Sequence, residues 1–192
     1  GMYEFFDAKT IFVTGGTGSL GQRLTDLLLA HAKPRRIIIF SRDEEKQRLM
    51  AERLGHNAIL DYFIGDVRDA ERLKRAFETE IDVLIHAAAM KQVPACERDP
   101  FEAIQTNILG SKNVINAAID AGIPRIMAIS SDKGCLPNTL YGSTKLCMEK
   151  LAVQGNAYVG KRDIAISCVR YGNVIGSRGS VIPHWRRQAA SG

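Results

Sequence analysis

The 192-residue chain is predicted to form a doubly wound parallel α/β sheet. Three observations predict it. Apolar runs rich in β-formers recur along the chain, amphipathic stretches of helical spacing separate them, and a glycine-rich turn directly follows the first run. Strands that alternate with helices read as parallel βαβ units, which bury a sheet between two helical layers. The expected strands are Thr10 to Thr14, Arg36 to Phe40, Ile59 to Ile64, Asp82 to His86, Arg125 to Ser130 and Ile164 to Arg170. Leu24, Leu27 and Leu28 begin the first helix. Ile104, Ile108, Val114, Ile115, Ala118 and Ile119 recur at helical spacing, which predicts one long helix from about Cys96 to Asp120, ended by Gly122 and Pro124. No repeat, low-complexity tract or linker interrupts this pattern. After the sixth strand, YGNVIGSRGSVIPHWRRQAASG begins a new element and stops, so residues 2–175 are read as one nucleotide-binding domain and 176–192 as the start of a truncated substrate-binding region.

A hydrophobic content of 45% in a chain of this length supports a full core in one domain. The net charge of +5 and pI of about 9.1 suit an anionic ligand. The basic residues are dispersed and not interleaved with aromatics, which argues against a nucleic-acid partner. Cys96, Cys135, Cys147 and Cys168 include no close pair of metal or redox type, so reduced thiols and no metal site are expected. No apolar run is long enough to span a membrane and no basic-then-apolar leader opens the chain, so a cytoplasmic protein is expected. Gly1 ahead of Met2 is read as a cloning remnant.

The chemistry begins at TGGTGSLG, Thr14 to Gly21, between the first strand and its helix. Gly15, Gly18 and Gly21 suit a tight turn, close approach of backbone to a pyrophosphate, and close helix packing, with the helix N-terminus facing the anion. Thr17, Ser19 and Leu20 belong to the same candidate dinucleotide site. After the second strand, Ser41 and Arg42 stand where an acidic residue would take the ribose hydroxyls of NAD. Arg42 favours the 2′-phosphate of NADP, and Lys46, four residues on, would share a helix face with it. Asp43, Glu44 and Glu45 keep NAD open, and an ordinary solvated charge run is the competing reading. In GDVRD, Asp66 could meet an adenine amino group and Val67 flank the ring; alternatively Asp66 caps a helix, as Asp69 could. His86 to Ala89 ends the fourth strand with small residues, of which Ala87 would let a cofactor backbone pass or simply pack. Lys91, just beyond, points to the same crevice or is an exposed loop lysine. Tyr141 and Lys145, spaced i, i+4 at a helix start after the fifth strand, place an ammonium near a phenol that can take a hydroxyl proton. Asp132 and Lys133, an acid beside an amine nine residues before Tyr141, are not needed by a nucleotide-binding fold and point to proton chemistry on a substrate.

Taken together, SRDEEKQ, GDVRD, HAAAMKQVPACERDP, SSDKGCLPNTLYGSTK and RYGNVIGSRGSVIP resemble the extended short-chain dehydrogenase/reductase family, which has a Rossmann fold. The likeness spans nearly the whole chain. Within it, the chain is most similar to inverting UDP-N-acetylglucosamine 4,6-dehydratases of pseudaminic-acid and polysaccharide biosynthesis. Retaining sugar dehydratases carry glutamate after the aspartate, whereas the inverting group has lysine, as at Lys133. Relatives in polysaccharide synthesis that carry methionine at the tyrosine position differ from this chain, which keeps Tyr141. Ser131 departs from the usual threonine but retains the hydroxyl. The resemblance implies NADP, a UDP-sugar substrate and a homo-oligomer. It also implies that Val174 contacts the nicotinamide and that Lys91, Asn173, Arg178, Gly179, Ser180 and Val181 meet the nucleotide sugar. Catalysis would rest on Asp132, Lys133, Tyr141 and Lys145, of which Tyr141 and Lys145, together with Lys91, would also contact the cofactor. Two other readings remain: a UDP-sugar 4-epimerase, which has no need of Asp132 and Lys133, and a dinucleotide-binding regulatory protein without turnover. Family members are longer, so the substrate-covering subdomain is expected to be largely absent.

Overall fold

Strands β1 (Thr10–Thr14), β2 (Arg36–Ser41), β3 (Leu60–Ile64), β4 (Val83–His86), β5 (Arg125–Ser131) and β6 (Ala165–Tyr171) form one sheet in a computed structural model, which describes residues 1–88, 92–131 and 138–171. Their order is β3-β2-β1-β4-β5-β6, and every pairing is parallel. The order reverses between β1 and β4. At such a switch point the connections leave in opposite directions and open a crevice at the carboxyl ends of the strands.

The helices are α1 (Ser19–His31), α2 (Glu44–Arg53), α3 (Ala70–Ala76), α4 (Val93–Arg98), α5 (Pro100–Ile104), α6 (Gly110–Ala121) and α7 (Leu140–Gly155). Side-chain alternation along β1 builds the two layers. Ile11 and Val13 pack with Leu24 and Leu28 of α1 and Met50 of α2. Phe12 faces the other way, among Leu73 of α3, Val114 and Ala118 of α6, and Met148 of α7. All five residues of β1 are buried, as a central parallel strand requires, and each fully buried Phe or Ile contributes roughly 1.5–3 kcal/mol. The doubly wound sheet expected from the sequence is therefore observed, with strand limits within a residue or two.

The long helix expected from Cys96 to Asp120 is corrected at its start. Cys96 lies in α4, which ends at Arg98; Asp99 leaves the helical conformation (φ −121°, ψ 69°), and Pro100 opens α5. Proline lacks an N–H and disfavours helical backbone in the residue before it, so the break belongs at Asp99. From Pro100 the helix continues to Ala121 through a π-helical turn, Gln105–Leu109, that joins α5 to α6. Gly122 ends it in the left-handed conformation, with Ile123 N–H donating to the Ala118 carbonyl at 3.0 Å.

Candidate active site

The glycine-rich turn has little room. Gly15 adopts φ +64°, and a Cβ there would lie 2.7 Å from the backbone N and Cα of Ala88. Gly18 caps α1, and its N–H donates to the Gly15 carbonyl at 3.1 Å. A Cβ on Gly21 would lie 2.5 Å from the Gly15 carbonyl oxygen, so α1 rests directly on the turn. Gly15→Ala combines left-handed strain with a collision against backbone that cannot swing aside. It should lose about 2–5 kcal/mol of stability in urea unfolding. A loss below about 1 kcal/mol would mean that the chain after β4 yields freely.

A cleft of about 270 Å³ opens above this turn at the switch point. Gly15, Thr17 and Gly18 line it at the turn, Ser41, Arg42, Asp43 and Lys46 at one end, and Val67, Ala87, Ala88 and Thr106 along a mostly apolar wall. Asp66 also lines it. Ser19, Leu20 and Gly21 do not: Leu20 is buried in the core, leaving only its backbone to face an anion. Thr106 was not evident from sequence, because the π turn that rotates it inward leaves no signal in an otherwise helical pattern. A phosphate-accepting turn, a cationic end and an apolar wall fit a dinucleotide.

Two sequence readings change here. Arg42 and Lys46 share the cleft but not a helix face: Asp43 caps α2 by accepting the Lys46 N–H at 3.0 Å, so Arg42 lies outside the helix. Asp66 does not cap α3. Asp69 does, accepting the Arg72 N–H at 3.1 Å, while Asp66 accepts from the Arg68 N–H and guanidinium at 2.9 Å and lies 4.0 Å from Arg42. Partial burial works to raise the Asp66 pKa, but the Arg68 hydrogen bonds and the charges of Arg68 and Arg42 outweigh it and hold the carboxyl below its usual range.

On the other side of the switch point, α7 starts at a Thr139 cap whose hydroxyl accepts the Gly142 N–H at 3.0 Å. One turn of helix puts Tyr141 and Lys145 on the same side, and both are buried. Lys145 Nζ donates to the Ile129 carbonyl of β5 at 3.1 Å, which fixes the ammonium at the end of the sheet. Tyr141 packs with Cys96 and Ala103.

A buried polar chain connects these regions, and its centre, His86, was read from the sequence only as the end of a strand. Thr14 Oγ1 lies 2.7 Å from His86 Nδ1, and His86 Nε2 lies 2.9 Å from Ser111 Oγ. Ser111 donates to the Asn107 carbonyl at 2.7 Å. Asn107 Nδ2 donates to Thr144 at 3.0 Å, and Thr144 donates to the Tyr141 carbonyl at 2.8 Å. Burial first, and then the charge of Lys145, push the His86 pKa down to about 3. The clue in the sequence is a row of polar residues, Asn107, Ser111 and Thr144, on helices that are otherwise apolar toward the core.

Asp132 and Lys133 lie outside the described residues, as do Lys91, Asn173, Val174, Arg178, Gly179, Ser180 and Val181. Among the described residues no three His, Cys, Asp or Glu side chains gather as a metal site, and no helix is long and apolar enough to cross a membrane.

Residues 11–192 match the family described as polysaccharide biosynthesis protein. The chain belongs to that family. Within the polysaccharide biosynthesis proteins it is 50% identical, over 187 residues, to a UDP-N-acetylglucosamine 4,6-dehydratase (inverting) of Campylobacter jejuni subsp. jejuni serotype O:23/36, covering 97% of this chain and 55% of that protein. A UDP-glucose 4-epimerase of Rickettsia typhi is 42% identical over 190 residues, again 97% of this chain and 55% of the relative. The solved structure of Pen from Bacillus thuringiensis superposes with a TM-score of 0.83 at 41% identity, covering 97% of this chain and 57% of that one. The chain thus spans about half the length of the curated relatives it matches. The resemblance to inverting dehydratases read from the motifs is borne out.

Proposed function

We propose that the protein binds NADP and dehydrates UDP-N-acetylglucosamine to a UDP-4-keto-6-deoxy sugar with inversion at carbon 5. The observation that carries this reading is the 50% identity, across 97% of the chain, to an inverting dehydratase. The cleft supports a nicotinamide dinucleotide, and Arg42 and Lys46 at its cationic end support the phosphorylated form. A nicotinamide dinucleotide held by Gly15, Thr17, Gly18, Ser41, Arg42 and Lys46 would supply reversible hydride transfer between carbon 4 and carbon 6 of the sugar. Tyr141, with the Lys145 ammonium beside it, takes the proton of the carbon 4 hydroxyl. The ketone so formed acidifies the proton on carbon 5. Lys133 removes that proton, and Asp132 protonates the hydroxyl leaving carbon 6, so water departs. A proton delivered to the opposite face of carbon 5 completes the inversion. Val174 and Lys91 are assigned to the cofactor, and Lys91, Asn173, Arg178, Gly179, Ser180 and Val181 to the nucleotide sugar, where Arg178 supplies a bidentate donor for phosphate.

The 42% identity to a UDP-glucose 4-epimerase favours a second reading, inversion at carbon 4 without loss of water. Proton NMR of UDP-N-acetylglucosamine with the full-length protein and NADP⁺ in deuterated water separates the two. A 4-keto-6-deoxy product with deuterium at an inverted carbon 5 is expected. Retained configuration sinks the inversion, a carbon 4 epimer favours the second reading, and an unchanged spectrum refutes turnover of this sugar.

A further inference from the structure

Gln47 lies beneath the cationic end of the cleft without lining it. It sits on α2 and is 6% exposed. Its amide nitrogen reaches three oxygens at once: the Ser41 carbonyl at 3.2 Å, the Phe63 carbonyl at 3.2 Å and the Ser41 hydroxyl at 3.1 Å. The two carbonyls can only accept. The end of the amide that faces them is therefore its NH₂ end, whose two hydrogens are shared among three oxygens and whose nitrogen cannot accept, so the Ser41 hydroxyl meets a donor there and turns its own hydrogen elsewhere. A hydroxyl that receives a hydrogen bond from one side has its own hydrogen left to give on another. Ser41 is 8% exposed and lines the cleft together with Arg42 and Lys46.

We propose that Gln47 is a positioning residue that keeps the Ser41 hydroxyl a hydrogen-bond donor toward the cleft, and so selects a cofactor carrying a phosphate there over one carrying a hydroxyl. This rests on the dinucleotide reading of the cleft. A phosphate offers only acceptors to Ser41, which matches a hydroxyl committed to donating. A ribose hydroxyl can satisfy either role, so it gains little from that commitment. Arg42 is 65% exposed at its side chain and ion-paired at 4.0 Å with Asp66, so its charge attracts a phosphate from solvent without setting the polarity of Ser41. The two effects are separable.

The test is titration of the full-length protein with NADP⁺ and with NAD⁺, read as dissociation constants by calorimetry, for wild type, Gln47→Met, Ser41→Ala and the double variant. Gln47→Met keeps the side-chain length and removes the donor. It should weaken NADP⁺ about 5- to 20-fold while NAD⁺ changes less than about twofold. Ser41→Ala should do the same, and the double variant should be no worse than Ser41→Ala. NAD⁺ affinity also reports that each variant is folded. Should Gln47→Met not fold, Gln47→Glu replaces the donor by an acceptor at nearly the same volume. Made alone, it should lower the NADP⁺ preference more than it does when combined with Ser41→Ala. Equal losses for both cofactors, or losses that multiply in the double variant, would overturn the role of Gln47. If wild type binds neither cofactor, the dinucleotide reading itself fails.

Discussion

Tyr141→Phe should lower turnover of UDP-N-acetylglucosamine by about 10²–10⁴-fold with little change in KM. The expectation rests on proton accounting. Oxidation at carbon 4 requires that the hydroxyl proton leave with the hydride, and Tyr141 is assigned to take it. The phenol is held for this task by three features: the Thr139 cap that starts α7, the packing of the ring with Cys96 and Ala103, and Lys145 one turn on, anchored to the Ile129 carbonyl. Phenylalanine retains the ring and its contacts, so stability should change by no more than about 1.5 kcal/mol, the worth of one hydrogen bond. Cofactor affinity should stay close to wild type, because Tyr141 does not line the dinucleotide cleft. Steady-state kinetics with calorimetric binding of NADP⁺ would check all three quantities. A turnover within threefold of wild type would remove Tyr141 from the proton-accepting role and leave its burial as a packing matter.

The folded protein should lose roughly 2 kcal/mol between pH 6.5 and pH 5 through His86 alone, and in total about 4–5 kcal/mol by pH 3. The imidazole is fully enclosed between β1, β4 and α6, and its pKa is depressed from the ordinary 6.5 to about 3, first by burial and then by the Lys145 charge. In this window the unfolded chain binds a proton at His86 and the folded chain does not. Acidification therefore favours unfolding: the contribution is intact above about pH 6.5 and is lost progressively as pH falls toward 3. The hydrogen-bond chain gives the same answer independently. Thr14 Oγ1 already accepts the Ala87 N–H at 3.0 Å and the Ala88 N–H at 3.3 Å, so its hydrogen goes to His86 Nδ1. Ser111 gives its hydrogen to the Asn107 carbonyl and accepts from His86 Nε2. A second ring proton, on Nδ1, would meet the Thr14 hydroxyl hydrogen. Urea unfolding between pH 7 and pH 5, where ordinary carboxylates scarcely titrate, should show this slope in wild type and lose it in His86→Gln. Nitrogen NMR of the ring should report the Nε2–H tautomer. An imidazolium signal at pH 5.5, or equal slopes for both proteins, would refute the buried neutral state.

Both predictions depend on tertiary contacts to very different degrees, and this separates what is legible in a sequence from what is not. Tyr141 and Lys145 are four residues apart, so one helical turn is enough to bring them together, and the Thr139 cap that fixes the turn is equally local. The six strands and the glycine turn are legible for the same reason, because a short continuous apolar run and a left-handed Gly15 are properties of a few consecutive residues. Arg42 shows where such reasoning fails: spacing alone put it on the face of Lys46, but the cap at Asp43 starts the helix at Glu44, two residues too late to include it. The break at Asp99 was legible in principle from Pro100, yet the apolar period across it was stronger as a pattern than the single proline.

By itself, then, the sequence determined the doubly wound sheet, the turn that opens the dinucleotide cleft and the placement of Tyr141 and Lys145 on one side of α7, since each follows from neighbours along the chain and from the burial that apolar periodicity demands. The tertiary structure decided the enclosure of His86 between Thr14 and Ser111, the contacts of Gln47 with Ser41 and Phe63 and the place of Thr106 on the cleft. These depend on which polar atoms meet once the sheet has assembled. Thr14 and His86 are 72 residues apart, Asn107 and Thr144 are 37, and Gln47 reaches Phe63 across 16. Hydrogen bonds act only over about 3 Å, so no pattern in the chain encodes them until packing has brought the partners within reach.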